Sequence, residues 1–305
     1  MGVMRMGYAH VRVTDLEEAR SHYANTMGLY ETLNQDGKVY YKGWDEWDHH
    51  SVVIEEGGVG LVKFGFKVEK PEDIDVIEKK AAAFGVTTER MSAGENPEVS
   101  DGLRIFAPSE HVLEVYHAQT LIGVETGTHN PDAFPRHLVG IGVPALDHAL
   151  ILTPDVRLME NMFKELFGYF PTERVQTDLN DDDAHFIASW LTNNNQIHQI
   201  ACLEGEAGKL HHFAFKLGDW NEVGRAADLM AMDDVPIDIG PTRHGITRGQ
   251  TVYFFDPSGN RNEVFAGGYP AYPDRPVTKW TPDALGKGIF YHARELNERF
   301  TTVYT

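Results

Sequence analysis

The chain carries one plan twice, and an internal repeat constrains an architecture more than any local propensity, because each copy must bury the same faces. In the first half, Lys63-Phe64-Gly65-Phe66-Lys67-Val68 precedes a helix-like stretch from Glu72 to Phe84, and Phe106-Ala107-Pro108-Ser109 leads into Val112-Leu113-Glu114-Val115-Tyr116. In the second, His212-Phe213-Ala214-Phe215-Lys216-Leu217 precedes a stretch from Trp220 to Met232, and Phe255-Asp256-Pro257-Ser258 leads into Asn262-Glu263-Val264-Phe265. The interval from Lys63 to Glu114 is 51 positions, and so is that from His212 to Glu263. Both halves also open alike. Tyr8-Ala9-His10-Val11-Arg12-Val13 runs into a helix ending near Gly28, and Leu146-Asp147-His148-Ala149-Leu150 into one ending near Gly168, which matches His10 with His148.

The recurring runs alternate with period 2, as half-buried strands do, while the stretches between them carry apolar residues at helical spacing, for example Ile74, Ile77 and Ala81. Each half therefore reads as two β-α-β-β-β units. That pattern predicts an α+β fold with helices on one face of a mixed sheet and the other face free to curve around a site. The expected division is a first repeat domain over 1–122, a linker over 123–143, a second domain over 144–270 and a tail over 271–305. Gly127, Asn130-Pro131, Pro135 and Gly140 break any period in the linker. The tail is expected to end in a helix from Asp283 to Phe300.

Composition narrows the chemistry. No stretch approaches the ~18–20 apolar residues of a membrane span, the N-terminus has no signal-peptide core, and the lone Cys202 cannot form an internal disulfide. A cytoplasmic setting is expected, with Cys202 as a small core residue. A net charge of −19 repels nucleic acid phosphates and anionic lipids, so neither is an expected partner. Fifteen histidines supply abundant imidazole, the commonest metal ligand.

Superposing the halves picks out His148, His212 and Glu263 in the second, against His10, Lys63 and Glu114 in the first. Two imidazoles and a carboxylate form the facial triad of non-heme iron(II) oxygenases, which leaves coordination positions open for substrate and dioxygen. An ammonium at Lys63 cannot complete such a set, so one half is expected to hold metal and the other to be degenerate. Within the His211-His212 pair, strand alternation assigns His212 to the face of small Ala214, and His211 to that of Phe213 and Phe215. A single histidine near a strand end is ordinarily structural; three candidate ligands at matched repeat positions are not so easily explained. Asp181-Asp182-Asp183 lacks the glycine and distal glutamate of a calcium loop and reads as a hairpin turn, while Asp256-Pro257-Ser258-Gly259 is turn chemistry ahead of Glu263.

Several longer motifs carry a family resemblance. Leu146-Asp147-His148-Ala149-Leu150, Gly208 through Phe215, Ile237 through Gly245 and Tyr253 through Phe265 resemble the ring-cleavage half of the type I extradiol dioxygenases, which have the vicinal oxygen chelate fold. The tail, Leu285 through His292 and Leu296 through Phe300, fits the same family, in particular the members that act on catechol. The resemblance implies Fe(II) held by His148, His212 and Glu263, with His198, His244 and Tyr253 around the substrate. It implies insertion of both atoms of O2 into catechol or an alkylcatechol to give 2-hydroxymuconate semialdehyde, and a homotetramer. His198 is assigned through its place 14 residues before His212 and would serve as the proton acceptor. Read without the family, His244 is a turn residue beside Gly245 and Tyr253 a core strand aromatic. Arg243 leaves open a carboxylated catechol such as homoprotocatechuate. A glyoxalase-like isomerase and a ligand-binding module are the rivals within the same fold.

Overall fold

The computed structural model describes residues 2–305. Four units of strand, helix and three strands follow one another. The first is β1 (Val3–Val13), α1 (Leu16–Ser21), β2 (Tyr30–Gln35), β3 (Lys38–Lys42) and β4 (Val52–Glu56); the second is β5 (Gly60–Val68), α2 (Pro71–Phe84), β6 (Thr87–Met91), β7 (Gly102–Phe106) and β8 (Val112–Tyr116). The third is β9 (Leu146–Thr153), α3 (Val156–Phe167), β10 (Phe170–Gln176), β11 (Phe186–Thr192) and β12 (Ile200–Glu204). The fourth is β13 (Leu210–Lys216), α4 (Trp220–Met232), β14 (Ile237–Arg243), β15 (Gly249–Phe255) and β16 (Arg261–Gly267). Two units make each mixed sheet, in the orders β2-β3-β4-β1-β5-β8-β7-β6 and β14-β15-β16-β13-β9-β12-β11-β10. The expected α+β repeat architecture is the observed one.

Local chemistry explains the helix ends. Asp155 caps α3 by accepting from the Leu158 amide, and Gly168 closes it in the left-handed region at φ 73°, where a side chain would be strained. Between those caps Met159, Met162, Phe163, Leu166 and Phe167 are all buried. Each such side chain contributes roughly 1.5–3 kcal/mol of apolar burial. Phe163 and Phe167 pack on Phe66 of β5, with ring centroids 6.0 and 5.1 Å away, and Tyr23, just beyond α1, stacks on Phe213 of β13. Each helix packs against its own sheet, α2 and α3 meet between the halves, and through such contacts one hydrophobic core runs through both. With the helical faces spent on that shared core, the opposite face of each sheet is left to curve around a cavity.

The segment between the sheets is pinned rather than loose. Gly140 (φ 55°) lies so close to the end of α1 that a Cβ there would stand 2.1 Å from the Asn25 carbonyl oxygen, and Arg225 of α4 donates to the Gly140 and Ile141 carbonyls.

The tail departs from expectation. In place of one helix over 283–300 it holds a short turn at Pro282–Ala284, α5 (Leu285–Ile289) and α6 (Glu298–Thr302). Gly286 and Gly288 weaken the first piece, Arg294 turns through φ 65°, and Asn297 starts α6 anew by capping the Arg299 amide. Ahead of these pieces, β17 (Thr278–Trp280) pairs parallel with β10 and so adds the tail to the second sheet. Among the described residues no helix is long and apolar enough to cross a membrane.

Candidate metal centre

His148 on β9, His212 on β13 and Glu263 on β16 occupy three adjacent strands of the second sheet. The register places Ala214 level with His148 on one side and Glu263 on the other, so the small side chain between them leaves room for an ion. Glu263 Oε2 stands 3.0 Å from His148 Nε2 and 3.1 Å from His212 Nε2, and the two ring nitrogens are 3.4 Å apart. One donor atom from each of the three lies within 4.8 Å of the others. All three residues are buried.

The outer faces of these ligands are already committed. His148 Nδ1 donates to the Asp147 carboxylate at 2.7 Å, which fixes the ring with Nε2 aimed at the centre. Thr251 donates to Glu263 Oε1 at 2.5 Å, freeing Oε2. Burial works against a charge on His148, yet Glu263 and Asp147 outweigh it and hold its pKa up at about 9; for His212 burial prevails over the same carboxylate and pushes the ring down to about 4. Burial also opposes the charge on Glu263, but the neighbouring rings keep its carboxyl well below the usual range. One anion thus holds one proton among three ligands, and a divalent ion fits that arrangement by replacing the proton and leaving both rings neutral.

His198, His244 and Tyr253 converge on the same cavity, together with His211. The His198 ring lies 4.0 Å from that of His148, and its buried Nδ1 has no hydrogen-bond partner. Tyr253 lies directly across from Glu263 in the β15–β16 register, closer to the ligand position than its sequence separation suggested, and its hydroxyl is 3.0 Å from His244 Nε2. His244 Nδ1 donates to the Ile289 carbonyl at the end of α5. The rest of the wall is apolar and includes Leu150, Trp190 and Ile246 from the sheet side with Leu285, Ile289 and Phe300 from the tail. The tail's share in the wall was not foreseen, although Leu285 and Ile289 stand one helical turn apart.

Two local readings need correction. A register irregularity between Leu210 and His212 interrupts the alternation of β13, so His211 does not simply turn away with Phe213 and Phe215; it lines the cavity beside His212. In the first sheet, Tyr8 rather than His10 is level with Gly65, as His148 is level with Ala214. The structural counterpart of the triad is therefore Tyr8, Lys63 and Glu114. Because strands have period 2, a shift of two positions leaves every side chain on its face, and polarity patterns alone do not reveal it. His10 instead stands 3.3 Å from Glu55, without hydrogen-bond geometry.

Comparison with known proteins agrees with this site. The family described as Glyoxalase/Bleomycin resistance protein/Dioxygenase superfamily matches residues 145–264, and the catechol 2,3-dioxygenase-like N-terminal domain matches residues 63–120. A metapyrocatechase of Pseudomonas sp. (strain CF600) is 41% identical over 100% of this chain and 99% of its own. The crystal structure of the 2,3-dioxygenase LapB from Pseudomonas sp. KL28 superposes with a TM-score of 0.88 at 42% identity, covering 93% of this chain and 99% of that one. A manganese-dependent 2,3-dihydroxybiphenyl 1,2-dioxygenase of Geobacillus genomosp. 3 is 26% identical over 96% of this chain and 95% of its own. The chain belongs to the extradiol dioxygenases of the vicinal oxygen chelate superfamily. It is an enzyme, and two histidines and one glutamate are grouped in it as the ligands of a metal ion would be.

Proposed function

We propose that this enzyme opens catechol or an alkylcatechol beside the diol, inserting both atoms of O2 to give 2-hydroxymuconate semialdehyde. The observation that carries the reading is the convergence of His148, His212 and Glu263 on an otherwise apolar cavity that also holds His198, His244 and Tyr253. The full-length likeness to a metapyrocatechase supports the same substrate.

Fe(II) is the proposed ion, held by His148, His212 and Glu263, because two imidazoles and one carboxylate are the donor set associated with it in oxygenases. When bound it supplies positive charge and open coordination positions for a catecholate and dioxygen. The protein does the rest. Burial holds His198 below the usual imidazole range, so the ring is neutral and its unpartnered Nδ1 can accept a catechol hydroxyl proton. Tyr253, whose pKa burial and Glu263 raise well above its ordinary value, keeps its proton; the hydroxyl rests 3.0 Å from His244 Nε2 and can turn that proton from the ring to a substrate oxygen. The apolar wall excludes water and seats the ring edge.

That wall also argues for catechol over homoprotocatechuate. Among the residues lining the cavity there is no Lys or Arg to pair with a carboxylate. Arg243 is engaged elsewhere, donating to the Arg248 carbonyl with its guanidinium 5.9 Å from the Trp220 ring. A ligand-binding module has no use for a triad. A cytoplasmic homotetramer is the proposed assembly, and exposed Trp47, Leu121 and Ile122, adjoining one another in the fold, support association of copies.

The test is anaerobic metal analysis followed by oxygen uptake and product analysis over a panel of catechols. One iron per chain, turnover of catechol above homoprotocatechuate and the yellow semialdehyde are expected. Muconate as main product would overturn extradiol cleavage, and manganese as the activating ion would overturn the iron assignment alone.

A further inference from the structure

His211 takes no part in the site as described so far, yet it is buried, it lines the cavity, and both of its ring nitrogens are engaged. Its Nδ1 faces His212 Nδ1 at 2.7 Å, and its Nε2 faces the Phe300 carbonyl oxygen at 3.0 Å. A carbonyl can only accept, so His211 Nε2 carries a proton. A metal held at His212 Nε2 requires that nitrogen bare and its proton on Nδ1, and two N–H groups do not face each other at 2.7 Å, so His211 Nδ1 is bare. Between two nitrogens at hydrogen-bond distance one must donate. His212 Nδ1 is then the donor, and His212 Nε2 is the bare nitrogen on the metal side, 3.1 Å from Glu263.

We propose that His211 is a positioning residue that fixes the tautomer and ring orientation of the metal ligand His212, and that it takes its own orientation from the Phe300 carbonyl in α6. This rests on the metal reading of the site. The acceptor is well anchored. Fully buried Arg261 pairs with Asp238 at 2.9 Å and donates to the Val303 and Arg299 carbonyls at 2.8 and 3.1 Å on either side of Phe300. The chain end is pinned beside the pair, Leu210 and Thr305 exchanging two backbone hydrogen bonds at 2.7 and 3.1 Å. The irregularity in β13 brings His211 to this position, between the tail and the ligand. His148 is oriented by a carboxylate and His212 by an imidazole, so the C-terminal tail, which also walls the cavity, bears on one ligand and not on the other.

The test compares His211→Leu, which keeps bulk but neither polar atom, with His211→Asn, whose amide oxygen falls near the position of Nδ1. Affinity for Fe(II) is read anaerobically by competition with a chromogenic chelator, beside the thermal melting of the metal-free proteins. His211→Leu should lose roughly 10–100-fold in affinity, and His211→Asn should recover most of it. Wild-type affinity in His211→Leu, or equal losses in both variants, would overturn the proposal. Should His211→Leu fail to fold, nitrogen-15 imidazole spectra of the wild-type protein loaded with diamagnetic Zn(II) decide: protonated His211 Nε2 and His212 Nδ1 are expected, and a proton on His211 Nδ1 contradicts the scheme. Failure of the wild-type protein to bind metal at all would count against the metal site itself rather than against His211.

Discussion

The two sheets place a fully buried glutamate at the same point of the same topology and use it in opposite ways. In the first, Glu114 is surrounded by cations and donors: Lys63 Nζ at 3.1 Å, Arg104 Nη2 at 2.9 Å, Asn96 at 2.9 Å, and the Tyr8 hydroxyl. In the second, Glu263 faces two rings that can be neutral. The first carboxylate has its charge compensated from within, and its counterpart cavity is narrowed, since the Tyr8 ring lies over Gly65 where a Cβ would meet it at 2.2 Å. The second is compensated only by a proton that a metal ion can replace, with a small residue between the two histidines and the glutamate and a hollow beside them. A buried carboxylate thus becomes a structural anchor or a metal ligand according to whether its neighbours bring their own positive charge.

The sheets also grip one another reciprocally. Asn260 accepts from the Gly60 amide at 2.8 Å, and at the matching place His111 meets the Lys209 carbonyl at 3.0 Å. Thr14 donates to Ser258 across the same seam, answered by the Gly208 amide to the Ser109 carbonyl. These paired contacts keep the near two-fold relation of the repeat while the two sites have diverged.

The sharpest contrast is expected from truncating the two carboxylates and their partners. His212→Ala or Glu263→Ala should take metal content from one ion per chain to none and abolish ring cleavage. Glu114→Ala should leave the metal in place and strike stability instead, by about 3–5 kcal/mol, because Lys63 and Arg104 lose the anion they face in the interior. Metal analysis with chemical denaturation of each variant checks both, and metal loss in Glu114→Ala would break the comparison.

A second contrast lies within the active sheet. His198→Phe should retain iron and substrate binding while turnover falls ~10²-fold or more, the scale of a lost proton acceptor. Steady-state kinetics with metal analysis reads it, and wild-type turnover would move the proton role elsewhere, with His244 next in line.

The smallest expected effect is at the seam, where only one member of the reciprocal pair titrates. Burial, partly offset by its hydrogen bonds to Lys209 and Ser109, pushes His111 down to about 4. The folded state therefore disfavours the protonated ring. Its contribution is fully present above the unfolded value near 6.5, and is lost as pH falls through that value towards 4, a change of about 1–3 kcal/mol. Melting curves from pH 7.5 to 4.5 should show a shallower decline for His111→Gln than for the wild-type protein; parallel declines would remove His111 from the seam's pH response.

The sequence displayed the repeat and the triad because chemistry-bearing residues recur at one interval of 51 positions in strands whose period is short and regular. It concealed what period cannot report. The two-position shift that makes Tyr8 the partner of Glu114 preserves every face, so His10 seemed as good a match on pattern alone. The irregularity at His211 broke the alternation from which that residue was assigned to the far side. The tail, with no copy in the first half, could not be placed by comparison, and its contribution to the wall depends on contacts such as Arg261 to Val303 that join positions distant in sequence. Asp147 stood in plain view beside His148, but its hold on Nδ1 is a matter of rotamer and not of spacing.

The claim that joins these observations is that one of two topologically equivalent carboxylates holds metal. Anomalous diffraction at the iron edge, from crystals of anaerobically prepared protein, tests it most directly. The account predicts a single peak per chain, among His148, His212 and Glu263; a second peak beside Glu114, or none at Glu263, would contradict it.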